Sequence, residues 1–183
     1  MLDTSQSMER FLASVERRAF RIAQIATNSA DDALDIVQEA MMALVKRYGA
    51  KPEEEWKPLF YRILVNRIRD WYRRSKVRNR WRSWMQTIGK AQHEQPLDSI
   101  ESLPDPAGHN PEDQLIIDHS AAALESALRI LPSRQQQAFL LRAWEGLTVR
   151  ETAIVMKCSA GSVKTHYSRA VQTLRELLED HWP

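Results

Sequence analysis

The stretch LTVRETAIVMKCSAGSVKTHYSRAVQTLRELL, residues 147–178, decides the fold of the C-terminal half. Thr148 followed by Glu151 is the pattern of a capping box and predicts the start of a short helix. A tight turn at residues 157–158 follows, and Ser159 then caps a longer helix. The apolar residues of the short helix are Ala153, Ile154 and Met156, and those on the inner side of the longer helix are Val163, Tyr167, Ala170, Val171, Leu174 and Leu178.

Two helices joined by a short turn, the second with a polar outer side, are typical of a helix-turn-helix. Because helical hairpins are common, the capping patterns and the polar start of the last helix carry this interpretation more than the periodicity does. The outer positions near that start can all donate to phosphates or base edges, and they are Ser162, Lys164, Thr165, His166, Ser168 and Arg169. The pattern predicts a reader of duplex DNA.

The residues before this motif predict two further helices. Pro132 ends a helix that carries Leu128 and Leu131, and Ser133 with Gln136 suggests a second capping box. The helix that this box opens has Phe139, Leu140 and Trp144 on its apolar side, and Gly146 stops it.

The charges are strongly segregated, although 26 Lys plus Arg against 24 Asp plus Glu among 183 residues leave a net charge of only +2. Residues 61–90 contain ten basic residues and one acid, whereas residues 91–118 contain seven acids and no Lys or Arg. This order indicates a polyanion-binding region followed by a segment with another role. Two unrelated solvated faces remain the alternative interpretation.

Proline and glycine cluster within the acidic stretch, at Pro96, Pro104, Pro106, Gly108 and Pro111. That composition is typical of a linker. We therefore expect an N-terminal unit at residues 1–89, a linker at 90–111 and a C-terminal unit at 112–183.

The N-terminal unit reads as three helices, because apolar residues recur at spacings of three and four. The first breaks near Asn28, and Ser29 caps a second helix that Gly49 stops. The predicted buried stripe of the second helix is Leu34, Val37, Met41, Leu44, Val45 and Tyr48. Its opposite side holds Asp35, Gln38, Glu39, Met42 and Lys46. That side is either a partner surface or a solvated face with one stray methionine.

The third helix follows Pro52 and Pro58 and has two unlike sides. One side is apolar, with Leu59, Phe60, Ile63, Leu64, Ile68, Trp71 and Tyr72, and the other carries Arg62, Asn66, Arg69 and Arg73. Aromatic and basic residues then alternate through Arg74, Lys76, Arg78, Arg80, Trp81, Arg82 and Trp84. Rings that stack on bases and cations that follow phosphates suit single-stranded nucleic acid. Alternatively, the tryptophans belong to the core and the arginines only solubilise the helix.

Composition excludes several classes of protein. Hydrophobic residues make up 43% of the chain, enough for the core of one or two small soluble domains. The single cysteine, Cys158, excludes a disulfide framework and a Cys-based zinc finger, and suits a reducing cytosol. No apolar run approaches the ~18 residues of a membrane span, and no secretory leader is evident. The five histidines lack metal-ligand spacing, so we expect no metal, no cofactor and no catalytic residue.

Two segments together resemble a known family. DDALDIVQEAMMALVKRY followed by LFYRILVNRIRDWYRR, and then ALRILPSRQQQAFLLRAWEGLTVRETAIVMKCSAGSVKTHYSRAVQTLREL, resemble bacterial RNA polymerase sigma factors of the sigma-70 family, extracytoplasmic-function (ECF, group IV) type. The resemblance covers about Met8 to Leu178 except the linker. It implies an all-α protein with a region 2 helical bundle, a region 4 helix-turn-helix and a flexible acidic linker, with no room for regions 1.1 or 3.

The resemblance also implies partners and roles. Asp35, Gln38, Glu39 and Met42 would bind core RNA polymerase. Residues on the third helix would open and read the minus-10 element of promoter DNA, namely Arg62, Asn66, Arg69, Asp70, Trp71, Tyr72, Arg73 and Arg74. Ser162, Lys164, Thr165, His166, Ser168 and Arg169 would read the minus-35 element, and the acidic linker would follow the RNA path of the polymerase. The family implies an anti-sigma factor as a further partner, and a cytoplasmic protein that joins the nucleoid in holoenzyme or is held at the membrane by the anti-sigma factor.

One departure from the family concerns the turn of the helix-turn-helix. The family usually has glycine where this chain has Lys157, and a left-handed backbone costs a residue with a side chain about 1 kcal/mol. We therefore expect strain at this turn rather than loss of the motif.

Three other functions compete with this interpretation. A response-regulator effector ends in a similar GSVKTH segment, but it needs a receiver domain with strands, which residues 1–89 do not predict. A helical adaptor or anti-sigma-like protein would bind partners without DNA and would use the basic block only as solvated surface. An enzyme would need an activated nucleophile, a metal or a phosphate loop, none of which the sequence indicates.

Overall fold

The computed structural model describes the backbone of residues 2–88 and 111–179, and the side chains of residues 5–76 and 121–179. The all-α prediction is confirmed, since every regular element in these ranges is helical. The helices are α1 (Leu2–Thr27), α2 (Ala30–Tyr48), α3 (Glu53–Ile88), α4 (Pro111–Ile130), α5 (Ser133–Phe139), a π-helical turn (Leu140–Trp144), α6 (Val149–Met156) and α7 (Ala160–Leu177). The predicted linker lies outside the described residues, apart from Pro111 at the start of α4.

Helices α1, α2 and α3 pack pairwise into a three-helix bundle. Asn28 ends α1 in a left-handed conformation with φ 54°, and the Ser29 hydroxyl accepts the Asp32 N–H at 3.2 Å, as the cap prediction requires. Gly49 follows the last residue of α2, but its backbone is right-handed with φ −60°. The end of α2 therefore does not depend on the conformational freedom of glycine.

The predicted buried stripe of α2 was partly wrong. Leu34 and Val45 are 46% and 49% exposed, and smaller residues are buried in their place. The buried residues of α2 are Ala33, Ile36, Val37, Ala40, Ala43 and Leu44. Three of these six residues are alanines, so the helix buries a face that the larger apolar residues did not mark.

Helix α3 begins at Glu53, before Pro58 rather than after it, and continues for 36 residues. Trp56 anchors its first turns, because its side chain is only 1% exposed and its ring lies 5.8 Å from that of Phe11. Phe60, Tyr61 and Leu64 are fully buried on the same helix. Burying each such side chain stabilises the fold by about 1.5–3 kcal/mol, which offsets the hydrogen bond that Pro58 cannot make.

The C-terminal helices confirm one capping box and contradict the other. Thr148 and Glu151 form both reciprocal hydrogen bonds at the start of α6. At α5 the N-cap is Pro132, which has no capping side chain, and Gln136 donates instead to the carbonyl oxygen of Leu128 at 2.9 Å. Of the apolar residues noted for α6, Met156 is buried, whereas Ile154 is 51% exposed, and Thr152 and Val155 complete the buried side.

The two halves of the chain pack against each other. Helix α3 lies along α6, and α1 contacts α4. The Lys57 ammonium donates to the carbonyl oxygen of Glu145 at 2.7 Å, and Arg21 lies 3.4 Å from the Glu125 carboxylate. The buried residues of both halves consequently form one continuous apolar cluster.

Candidate nucleic-acid and partner interface

Helix α2 presents a mixed polar and apolar surface to solvent. Because successive residues advance by about 100°, one side of the helix groups six side chains. We call this group the α2 surface, and it consists of Leu34, Asp35, Gln38, Glu39, Met42 and Val45. Met42 is the most exposed large apolar residue there, at 65%, and Glu39 forms an ion pair of 3.4 Å with Arg67 of α3.

A shallow groove of about 280 Å³ runs beside the α2 surface, between α1 and α2. Phe20, Leu34 and Met41 line its apolar part, and Gln38 stands at its edge. Exposed apolar side chains that adjoin polar ones are characteristic of protein-binding surfaces. The predicted residues Asp35, Gln38, Glu39 and Met42 are therefore brought together, with Leu34 and Val45 as neighbours that the sequence interpretation had assigned to the core.

The polar side of α3 is accessible to solvent in its second half. Arg62, Asp70, Arg73 and Arg74 are exposed, and Asn66 is half-buried. Arg73 lies 3.9 Å from the Asp70 carboxylate one turn before it, a contact that solvent screens strongly. These side chains thus remain available to an external ligand.

Arg69 differs from the other arginines of α3. Its side chain is half-buried, and its Nη2 atom is buried without a hydrogen-bond partner among the described residues. A guanidinium nitrogen that is buried and unpaired carries a desolvation cost, and the Arg69 side chain has to move before this atom can meet an external ligand.

Trp71 and Tyr72 are packed rather than free. Their rings meet edge to face at 5.3 Å, both are half-buried against the core, and the Tyr72 hydroxyl donates to the carbonyl oxygen of Ala26 at 2.6 Å. Burial also raises the pKa of the Tyr72 phenol. Trp81 and Trp84, whose roles depend on the same stacking argument, lie outside the described side chains.

The helix-turn-helix of α6 and α7 has the predicted local chemistry. Lys157 ends α6 with a left-handed backbone at φ 53° and ψ 53°, and Ser159 caps α7 by accepting the Ser162 N–H at 3.0 Å. Hydrogen bonds from the Thr148 hydroxyl and backbone lower the pKa of Glu151 in the capping box. The start of α7 is therefore fixed against α6 by side-chain caps at both helices.

Four of the six predicted reading residues on α7 are exposed: Lys164, Thr165, Ser168 and Arg169. Ser162 and His166 are half-buried. Ser162 shares a 2.9 Å contact with the Ser159 hydroxyl, and Thr165 donates to the Gly161 carbonyl at 3.1 Å, so both hydroxyls have local partners.

Two features of the structure were not predicted from the sequence: a group of positive charges on the surface and a buried contact between the two halves. Arg150 and Lys157 join Lys164 along a groove between α6 and α7. Tyr61 and Glu145 are buried against each other at the contact between α3 and the C-terminal helices. The positive charges could have been noticed in the sequence, whereas the contact joins residues 84 positions apart that no local pattern links.

The described part of the chain holds no group of His, Cys, Asp and Glu side chains arranged to bind a metal ion. Among its helices, none has the length and apolar character needed to cross a membrane.

Comparison with known proteins identifies two matching families. The profile for Sigma-70 region 2 matches residues 8–78, and that for Sigma-70, region 4 matches residues 121–174. The chain is 31% identical over 152 residues to an RNA polymerase sigma-E factor of Streptomyces coelicolor, covering 80% of this chain and 72% of that relative. It is 46% identical over 71 residues to the ECF RNA polymerase sigma factor BldN of the same organism, covering 39% of this chain and 27% of BldN.

Solved structures have the same fold. The sigma factor RpoE of Bartonella quintana, in a complex with the anti-sigma factor NepR, aligns over 98% of both chains with a TM-score of 0.66 and 24% identity. CnrH, in a complex with the cytosolic domain of CnrY, aligns over 97% of this chain and 95% of its own with a TM-score of 0.56 and 20% identity.

Proposed function

We propose a function from one premise: this chain belongs to the sigma-70 family of RNA polymerase sigma factors, in its ECF branch. As a sigma factor it directs core RNA polymerase to specific promoters and initiates transcription. It supplies promoter recognition, and the polymerase supplies the catalysis of RNA synthesis.

The division of labour follows the two helical units. Residues 1–89 act as region 2, residues 90–111 as a linker, and residues 112–183 as region 4. The match of separate family profiles to residues 8–78 and 121–174 supports this division.

The α2 surface docks on core RNA polymerase. Exposed Met42 and Gln38 beside Asp35 and Glu39 support this role, because they combine apolar area with specific polar contacts. The apolar neighbours Leu34 and Val45 enlarge the area that a partner can cover.

The polar side of α3 opens and reads the minus-10 element. Exposed Arg62, Arg73 and Arg74 can follow the phosphates, and Arg69 adds a half-buried guanidinium group to the same helix. Asn66 can pair with the edge of an unstacked base, while Asp70 orients Arg73. Trp71 and Tyr72 pack α3 against the bundle. To stack on an unpaired base, their rings would have to leave their contact with each other, and Tyr72 its hydrogen bond to Ala26.

Helix α7 reads the minus-35 element as duplex. Lys164, Thr165, Ser168 and Arg169 are exposed on its outer side, and His166 and Ser162 lie beside them. Charged contacts to phosphates release counterions, so binding at both elements weakens with salt.

An anti-sigma factor holds the protein inactive. RpoE is known in a complex with the anti-sigma factor NepR, and the fold that it shares with this chain supports the proposal. The protein acts in the cytoplasm and joins the nucleoid in holoenzyme, with tethering to the membrane only through the anti-sigma factor.

The α2 surface is the observation that carries the function, because only a polymerase subunit needs it together with two DNA-reading helices. Size-exclusion co-elution with bacterial core RNA polymerase tests it. We expect wild-type protein to co-elute and the double variant Gln38→Ala, Glu39→Ala to lose at least tenfold in affinity.

Arg67→Gln is the matched control, since it breaks the Glu39 ion pair without removing the carboxylate. If Arg67→Gln binds core polymerase with an affinity close to wild type, the affinity lost in the double variant is due to the α2 surface and not to a disturbed helical bundle. A wild-type protein that binds duplex DNA but not core polymerase would instead be a free-standing transcription regulator.

A further inference from the structure

An open groove of about 950 Å³ is lined by residues of α6, the turn and α7. Its apolar lining includes Ala153, Ala160 and the exposed side chain of Ile154. Its rim is cationic and consists of Arg150 from α6, Lys157 from the turn and Lys164 from α7. One helix-turn-helix thus gathers three positive charges from three successive segments.

These three cations lack counterions within the part of the chain that the structure describes. All three are exposed, and none takes part in an ion pair or a side-chain hydrogen bond there. Other arginines of the same unit do have such partners: Arg134 donates to the Met156 carbonyl at 2.7 Å, and Arg142 donates to the Leu147 carbonyl. The groove therefore presents uncompensated positive charge, which suits an anionic ligand.

Lys157 is also held in an unfavourable backbone conformation. Its φ of 53° lies in the left-handed region, where glycine is preferred because a Cβ atom crowds the backbone. The turn itself needs no lysine, since the main-chain N–H makes the terminal hydrogen bonds to Ala153 and Ile154. A strained residue with an unpaired charge indicates a function for the side chain.

We propose that Lys157, together with Arg150, binds the phosphate backbone of duplex DNA beside the major groove that α7 reads. In a helix-turn-helix the first helix crosses the backbone while the second enters the groove, so the turn between them lies over the phosphates. Lys164 belongs both to this rim and to the reading side of α7, which makes the two surfaces continuous. The inference rests on the proposed DNA reading by α7 and adds the turn and α6 to it.

The test compares Lys157→Gly with wild type and Lys157→Arg in the full-length protein. Because a phosphate contact is independent of sequence, the probe is a 25-base-pair duplex of arbitrary sequence, measured by fluorescence anisotropy between 50 and 300 mM KCl. We expect Lys157→Gly to raise the thermal unfolding midpoint by about 2 °C through relief of strain. The same variant should weaken DNA binding roughly 3–10-fold at low salt and reduce the salt slope by about 0.9.

Lys157→Arg should keep both the affinity and the slope, because it retains the charge. Lys157→Asn, which tolerates the left-handed conformation without a charge, should bind as weakly as the glycine variant. A glycine variant with wild-type affinity and slope, or with a lowered midpoint, would overturn the inference.

The variant Arg169→Ala distinguishes a failure of the Lys157 contact from a failure of DNA reading by α7. If wild type binds the duplex and Arg169→Ala weakens it while Lys157→Gly does not, α7 reads DNA without help from the turn. If neither the wild type nor any variant binds this duplex, the inference fails, and DNA reading by α7 fails with it only if the wild type also does not bind a promoter duplex selected by the holoenzyme.

Discussion

The Nζ atom of Lys57 donates a 2.7 Å hydrogen bond to the carbonyl oxygen of Glu145 and ties α3 to the C-terminal helices. Beside it, Tyr61 and Glu145 are 0% and 3% exposed, and the Tyr61 hydroxyl lies beside the Glu145 carboxylate without forming a well-aligned hydrogen bond. Buried polar groups without well-aligned hydrogen bonds make this contact less stable than its apolar area suggests.

This contact holds α3 and α7 closer together than the two elements of a promoter lie on DNA. Elements centred about 25 base pairs apart lie about 85 Å from each other along duplex DNA. Asn66 is only nine residues from Lys57, about 14 Å along α3. In the proposed function α3 occupies the first element and α7 the second, which they cannot do together while Glu145 is held against Lys57, so the function requires the two halves to separate.

Removing the Lys57 donor should therefore favour separation. Lys57→Met keeps most of the apolar stem and deletes a hydrogen bond worth about 1 kcal/mol, which raises the separated fraction roughly 5-fold. Spin labels at Arg47→Cys in α2 and Gln172→Cys in α7, in a Cys158→Ser background, would report a new population at long distance. Lys51→Met is the control, because that residue pairs with Glu55 of the same helical unit at 3.3 Å. Identical distance distributions in all variants would contradict a role for the Lys57 contact.

The capping box at α6 should contribute measurably to stability. Thr148 accepts the Glu151 N–H at 3.2 Å, and the Glu151 carboxylate accepts the Thr148 N–H at 2.7 Å. Thr148→Ala removes the first bond and should lower the free energy of unfolding by about 1 kcal/mol at neutral pH. Chemical denaturation measures this loss, and Thr148→Ser, which can cap equally well, should restore most of it.

The same capping box should make the free energy of unfolding depend on pH in the acidic range. Because the pKa of Glu151 is lowered in the folded state, its contribution is present above the unfolded pKa, near 4.5, and is lost as the pH falls through the folded value. Glu151→Gln keeps a capping side chain without a titrating group, so its unfolding free energy should fall less between pH 5 and pH 3. Parallel losses in both proteins would show that other carboxylates dominate.

The sequence predicted the helices far better than the faces that they bury. The caps at Ser29, Thr148 and Ser159 were identified correctly, because a hydroxyl before a helix satisfies its own local N–H groups. The box at Ser133 was predicted wrongly, since Pro132 took the cap position and Gln136 found a partner in α4. Local chemistry could be predicted only where tertiary contacts did not compete with it.

The residues of the candidate surfaces were likewise predicted only in part. The polar residues of α2, α3 and α7 follow from helical periodicity, which places them on one side each. Leu34 and Val45 were assigned to the buried stripe because of their apolar side chains, yet they lie on the surface, while Ala33, Ala40 and Ala43 of the same helix are buried. The contact between Lys57 and Glu145 depends on how distant helices meet, which periodicity does not encode.

Two tyrosines should make the fold sensitive to alkali. Burial raises the pKa of both Tyr61 and Tyr72, and the Glu145 carboxylate beside Tyr61 adds to the first shift. Stability from a raised pKa is complete below the unfolded value, near 10, and falls as the pH rises above it, by at most about 1.4 kcal/mol per pH unit for each group. Between pH 9.5 and 11 the variant Tyr61→Phe, Tyr72→Phe should lose less stability than wild type. Tyr48→Phe serves as the control for removing a phenol hydroxyl from another half-buried tyrosine of the bundle.

Asn66 should matter for promoter opening rather than for closed-complex binding. Its amide lies half-buried on α3 between exposed Arg62 and Asp70, and in the proposed opening step it pairs with a base that has left the duplex. Asn66→Ala in holoenzyme should reduce the permanganate reactivity of unpaired thymines about tenfold, on a promoter selected from a random library by the wild-type holoenzyme. Affinity for the unopened promoter at low temperature should not change. Arg74→Ala, which removes an exposed cation, should instead weaken both steps and lower the salt slope. Equal effects of the two variants on binding and opening would mean that Asn66 contacts the backbone, and unchanged reactivity would remove it from the opening step.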